Sequence, residues 1–118
     1  METLDGAAIA ALRSALESER ETLRREIAAE GGAPDSGDLG MDLERGFADS
    51  AHVTAERARV VAMLERLRRN LREVGAALER IDRGTYGRCE RCGRAIGRER
   101  LEALPSARLC ITCKQAVG

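Results

Sequence analysis

Four cysteines constrain this chain more than any other feature. Cys89-Glu90-Arg91-Cys92 and Cys110-Ile111-Thr112-Cys113 are two Cys-x-x-Cys pairs with seventeen residues between them, and the sequence holds no other cysteine. Two such knuckles suit a tetrahedral Zn²⁺ bound by four thiolates, two from each pair. No charged segment followed by an apolar run opens the chain, so a reducing compartment is expected, where thiols remain free for metal. Arg88, Arg91, Arg94 and Lys114 lie beside the cysteines in sequence, where cations favour the thiolate form. Four cysteines also close the coordination shell, whereas catalytic zinc keeps a position open for water. The single histidine, His52, is distant in sequence, and no Ser/His/Asp or Cys/His arrangement is evident. The zinc is therefore expected to be structural, replacing a core that a segment such as 84–113 is too short to build. No enzyme is expected.

The rest of the chain reads as helix. Val60, Leu64, Leu67, Leu71, Val74, Leu78 and Ile81 follow one another in alternating steps of four and three, a heptad seam that Val53 extends upstream. Residues 4–30 carry a looser version through Ile9, Leu12, Leu16, Leu23 and Ile27. Both segments lack proline and are rich in Ala, Leu, Glu and Arg, which favour helix. Gly75 is the weak point, costing about 1 kcal/mol against alanine unless a close approach requires it. Polar flanks such as Glu65, Arg66, Arg68, Arg69 and Arg72 read as solvated faces and interhelical pairs. One Phe, one Tyr and no Trp leave aliphatic side chains to do the packing. The expected fold class is mainly α: an antiparallel two-helix coiled-coil hairpin with a C-terminal four-cysteine zinc finger. Its helices run over about 4–30 and 51–82 within a hairpin of residues 1–83, and the finger occupies 84–118. Parallel dimerisation through the same seam is the structural alternative. No apolar run approaches the roughly 20 residues that span a membrane.

The connector at 31–50 breaks the helical pattern with Gly31-Gly32-Ala33-Pro34 and Gly37. Between residues 35 and 49 it carries Asp35, Asp38, Asp42, Glu44 and Asp49 against the lone Arg45. The zinc end has the opposite sign, with eight basic residues against three acidic ones from Arg83 onward. Twenty basic and twenty acidic residues balance overall, so the neutral total conceals an acidic tip and a basic base.

The run Gly84-Thr85-Tyr86-Gly87-Arg88-Cys89-Glu90-Arg91-Cys92-Gly93, then Ile96-Gly97, Arg100-Leu101-Glu102-Ala103, Pro105 and Leu109 to Lys114, resembles the DksA/TraR family. The resemblance is dense over residues 84–114, and the upstream hairpin is similar in architecture. It implies a cytoplasmic bacterial regulator that binds RNA polymerase directly, inserts its coiled-coil tip into the secondary channel and alters initiation, often together with the alarmone ppGpp. The family's tip motif, Asp-x-x-Asp-x-Ala, carries over by its offset from the first cysteine. It places the second aspartate on Asp49 and the alanine on Ala51, whereas its first aspartate falls on Gly46. Asp49 and Ala51 are thus the expected polymerase-contacting residues, although aspartate there is equally a preferred helix N-cap. Family members such as DksA continue into a further helix past the last cysteines, where five residues follow Cys113 here. That departure puts in doubt the ppGpp contacts that depend on that helix, and ppGpp stays a possible partner. Phe47 is a candidate contact residue, His52 an ordinary helix residue, and Tyr86 a packing residue of the finger. The alternative is a zinc finger that binds nucleic acid and is dimerised by its coiled coil, favoured by the basic C-terminal segment. It lacks a second aromatic to pair with Tyr86 as a stacking platform, and no specific DNA binding is expected.

Overall fold

The computed structural model describes residues 4–31 and 51–117, with 51–53 described by their backbone alone. Among the described residues, four helices follow in order: α1 (Gly6–Ala29), α2 (Ala51–Arg83), α3 (Arg98–Ala103) and α4 (Ile111–Val117). The two long helices match the apolar periodicity to within two residues at each end. The connector at 31–50, with the candidate residues Asp42, Glu44, Gly46, Phe47 and Asp49, lies outside the described residues save Gly31. Ala51 and His52 open α2, with side chains outside the description.

Local chemistry sets the helix ends. Asp5 caps α1, its Oδ1 accepting the Ala8 N–H at 2.7 Å while its carbonyl accepts the Ile9 N–H at 3.0 Å. Such a cap is worth about 1 kcal/mol over alanine. At the other end of α2, Gly84 adopts φ 78°, a left-handed conformation that a side chain disfavours. The Thr85 N–H then reaches back to the Arg80 carbonyl at 2.9 Å and the Gly84 N–H to that of Ile81 at 3.2 Å. That pairing is the Schellman motif, and it ends the helix where the finger begins.

The chain divides into two compact units, Met1–Arg20 with Glu73–Gly118, and Glu21–Arg72. In the first, Ala8, Leu12 and Leu16 are buried on α1, and Val74, Ala77 and Leu78 on α2. Arg13 meets Asp82 at 2.7 Å, and Leu4 lies against Gly87, so the two chain directions oppose one another, as the hairpin reading expects. That ion pair is largely exposed and contributes little. In the second unit Leu23 and Ile27 are buried on α1, and Leu64 and Leu67 on α2. Of the α2 seam, Val60, Leu71 and Ile81 are only half-buried.

The structure decides two positions. Arg68, read among solvated faces and interhelical pairs, is only 8% exposed, so its stem belongs to the packing. Gly75 marks no close approach: a Cβ built there meets nothing within 4 Å. Gly75→Ala is therefore expected to stabilise the protein by about 1 kcal/mol. A thermal melt that moves down on substitution would show a constraint at this position that the packing does not reveal. Among the described residues, no helix is long and apolar enough to cross a membrane.

Candidate metal centre

The first knuckle is held by its backbone. The Cys89 N–H donates to the Arg94 carbonyl at 2.8 Å, the Gly93 N–H to the Cys89 carbonyl at 2.9 Å, and the Ile96 N–H to the Gly87 carbonyl at 2.8 Å. Arg88 and Ala95 form an antiparallel bridge across the same turn. Gly87 has φ 89°, a left-handed conformation that favours glycine, and a Cβ there would sit 2.9 Å from Leu4 Cδ1, the movable end of a flexible side chain. The second knuckle starts α4, where the Lys114 N–H donates to the Cys110 carbonyl at 2.9 Å and the Cys113 N–H points at Cys110 Sγ at 3.5 Å. Between the knuckles, α3 buries Leu101, which joins Tyr86, Ile96 and Ala107 in a small apolar core.

These elements bring together all four predicted cysteines. Their sulfur atoms lie within 4.8 Å of one another, and Cys92 and Cys110 are 3.8 Å apart. Zn–S bonds of about 2.3 Å in a tetrahedron place sulfurs about 3.8 Å apart, so the cluster fits Zn²⁺ with at most a small contraction. All four thiols are free of disulfides. Burial pushes the Cys89 thiol up, but backbone amides of Cys110, Cys92 and Arg91, together with the Cys113 thiol, outweigh it and bring it down to about 6. No arginine side chain is among these leading causes. Cys113 is pushed up to about 12, first by burial and then by the sulfurs of Cys110, Cys89 and Cys92. Bound Zn²⁺ would displace that proton and hold all four sulfurs as thiolates. With no position left open for water, the site is structural.

A set of polar contacts, missed at the level of sequence, ties the finger to α2. Glu90, inside the first knuckle, lies between two arginines: Arg80 of α2 at 3.5 Å and Arg108 at 3.7 Å. Arg108 also pairs with Glu73 of α2 at 2.9 Å, while its carbonyl accepts the Glu90 N–H at 2.9 Å. Arg80 is nearly buried, with 12% of its side chain exposed, and its Nη2 donates to the Ala107 carbonyl at 3.4 Å. The available signal was a carboxylate within the knuckle facing an arginine near the end of α2. Tyr86 packs as expected: it is buried and its hydroxyl donates to the Pro105 carbonyl at 2.8 Å. Burial pushes its phenol up to about 12, against the opposing effect of Arg80, so it stays protonated at neutral pH.

Residues 84–117 match the prokaryotic dksA/traR C4-type zinc finger family. The RNA polymerase-binding transcription factor DksA of Haemophilus influenzae is 44% identical over 50 residues, covering 42% of this chain and 34% of that protein. General stress protein 16O of Bacillus subtilis is 31% identical over 102 residues, covering 86% of this chain and 63% of its own length. The chain thus spans less than two thirds of the length of these curated relatives. Among solved structures, transcription factor DksA2 of Pseudomonas aeruginosa superposes with a TM-score of 0.74 at 34% identity, covering 96% of this chain and 84% of that one. The C4-type finger match over residues 84–117, together with the likeness to DksA2 at 34% identity over 96% of the chain, places this chain in the DksA/TraR family of C4-type zinc-finger proteins.

Proposed function

We propose that this protein binds bacterial RNA polymerase directly in the cytoplasm and regulates transcription, its hairpin tip entering the secondary channel to modulate initiation. The observation that supports this reading is the likeness to DksA2 over 96% of the chain, helices and finger together. A finger shared alone would say only that the chain binds zinc. In this reading the zinc-bound base stays outside and the acidic connector reaches the moving parts of the catalytic centre. Asp49 supplies charge there and Ala51 closes the contact; no chemistry is asked of either. ppGpp is not required by the proposal.

Binding of the zinc-loaded protein to purified core polymerase, with and without a secondary-channel competitor, tests it. Saturable, competed binding is the expected result, and absence of binding where another family member binds removes the reading. Asp49→Asn should leave binding intact and reduce the effect on transcription. An unchanged effect would take Asp49 out of the mechanism.

Nucleic-acid binding by the finger is the second reading, supported by the excess of basic residues beyond Arg83. The structure commits several of these internally. Arg100 Nε donates to the Leu109 carbonyl at 3.0 Å, Arg108 pairs with Glu73 and Glu90, and Arg98 pairs with Glu102. Fewer guanidinium groups are left for phosphates than the sequence count suggests, which favours the polymerase reading.

A further inference from the structure

The first unit carries a groove that neither the metal centre nor the polymerase reading uses. It has a volume of about 440 Å³ and runs between the start of α1 and the finger, lined by Leu4, Ile9 and Leu101 together with Arg88, Arg94 and Arg98. Among the described residues, no acidic side chain lines it. The arginine charges are poorly offset. Arg88 Nη1 donates at 3.2 Å to the Gly93 carbonyl, a neutral acceptor. Arg94 is exposed and makes no ion pair among the described residues. Arg98 shares its charge with Glu102 at 3.2 Å across an exposed i,i+4 pair. An occupant must therefore bring carboxylates for the arginines and aliphatic or aromatic side chains for the leucine and isoleucine surface.

The chain itself contains a segment of that chemistry. Residues 35–49 read Asp-Ser-Gly-Asp-Leu-Gly-Met-Asp-Leu-Glu-Arg-Gly-Phe-Ala-Asp: five carboxylates against one arginine, interleaved with Leu39, Met41, Leu43 and Phe47. We propose that the Arg88/Arg94/Arg98 groove docks residues 35–49 of a second copy, giving a head-to-tail association of the protein. Contact between two different surfaces of like chains is heterologous, so an open assembly keeps one free groove at one end and one free segment at the other unless a ring closes. The association engages Asp49 and is independent of whether polymerase is a partner.

The test uses the full-length, zinc-loaded chain and a fluorescently labelled peptide of residues 35–49 as probe. Saturable binding by anisotropy is expected, weakening as salt rises because exposed charges carry much of it. The double variant R88E/R94E should lose about tenfold or more in affinity while keeping its zinc and helicity. In sedimentation, the full chain should self-associate with concentration, the single-site variants D42K/E44K and R88E/R94E should each be monomeric, and an equimolar mixture of the two should associate again. Equal peptide binding by R88E/R94E overturns the proposal, as does a chain that stays monomeric at every concentration at low salt. Groove-dependent binding of a single-stranded oligonucleotide with none of the peptide also overturns it and assigns the groove to nucleic acid.

Discussion

Stripping the metal with a strong chelator is expected to collapse the finger, and Cys89→Ser should do the same without a chelator. Apparent binding free energies at structural four-ligand zinc sites are about 10–16 kcal/mol near neutral pH, and that energy is folding energy. The apolar core left behind is four side chains, Tyr86, Ile96, Leu101 and Ala107. Hydrogen exchange offers a direct reading. The amides of Cys89, Gly93 and Ile96, which donate to Arg94, Cys89 and Gly87, should lose protection together on metal removal. Retained protection in metal-free protein would show that the knuckle stands without zinc. Proton competition gives the same centre a sign. Cys113 is pushed up to about 12 and must surrender a proton to bind metal, whereas Cys89 at about 6 is already largely thiolate at neutral pH. Zinc affinity should thus rise steeply from about pH 6 to about pH 8, since each thiol titrated by the metal releases a proton. Competition against a chromophoric chelator across that range measures it, and a flat profile would mean the four sulfurs are not the ligands.

Leu101→Ala should be the most damaging single substitution away from the cysteines. Leu101 is 1% exposed at the centre of α3, its Cδ1 3.7 Å from where a Cβ on Gly87 would lie. Truncating a buried leucine costs about 2–5 kcal/mol, the larger end where the surroundings cannot close over the cavity. Here the surroundings are pinned on both sides. The Leu101 N–H donates to the Gly97 carbonyl at 3.1 Å, and Arg100 beside it donates to the Leu109 carbonyl at 3.0 Å. Denaturant unfolding of the zinc-loaded variant would measure the loss. A cost below about 1 kcal/mol would mean that the finger relies on metal alone, because ordinary surface changes fall within about 0.5 kcal/mol.

The metal site was legible in the sequence because its ligands come as two local pairs, each fixed by a two-residue spacing that only a few structures satisfy. The α2 seam was legible because burial on one face of a helix repeats at four and three residues, and Leu64, Leu67, Val74 and Leu78 are buried as that rule requires. Asp5 was legible in principle, being an aspartate just before an apolar-periodic run, yet it was passed over. Other features were hidden for a physical reason. Arg68 and Ala77 stand three and four residues from seam positions, but a cation and a small side chain there do not announce burial, and both are buried. The Arg80–Glu90–Arg108–Glu73 contacts join residues up to 35 positions apart, so only the folded chain brings them together. The depressed Cys89 thiol comes from backbone amides that every sequence possesses; their convergence on one sulfur belongs to the turn. The groove flanked by Arg88, Arg94 and Arg98 likewise needs Leu4 and Ile9, which arrive from the other end of the chain.

Glu90 has a consequence for anyone who would transplant this finger. The family match begins at Gly84, which suggests a portable module of 34 residues. Cut there, however, Glu90 would lose Arg80, Arg108 would lose Glu73, and Gly87 would lose the Leu4 side chain that lies against it. A graft onto another helical stem would fold to its full stability only if it also carried residues 73–83 and the first twenty, or if the host presented an arginine and a glutamate seven positions apart on its last three turns. Chimeras that exchange fingers between relatives should therefore succeed or fail according to what the host offers at those two helix positions, more than according to the finger sequence itself.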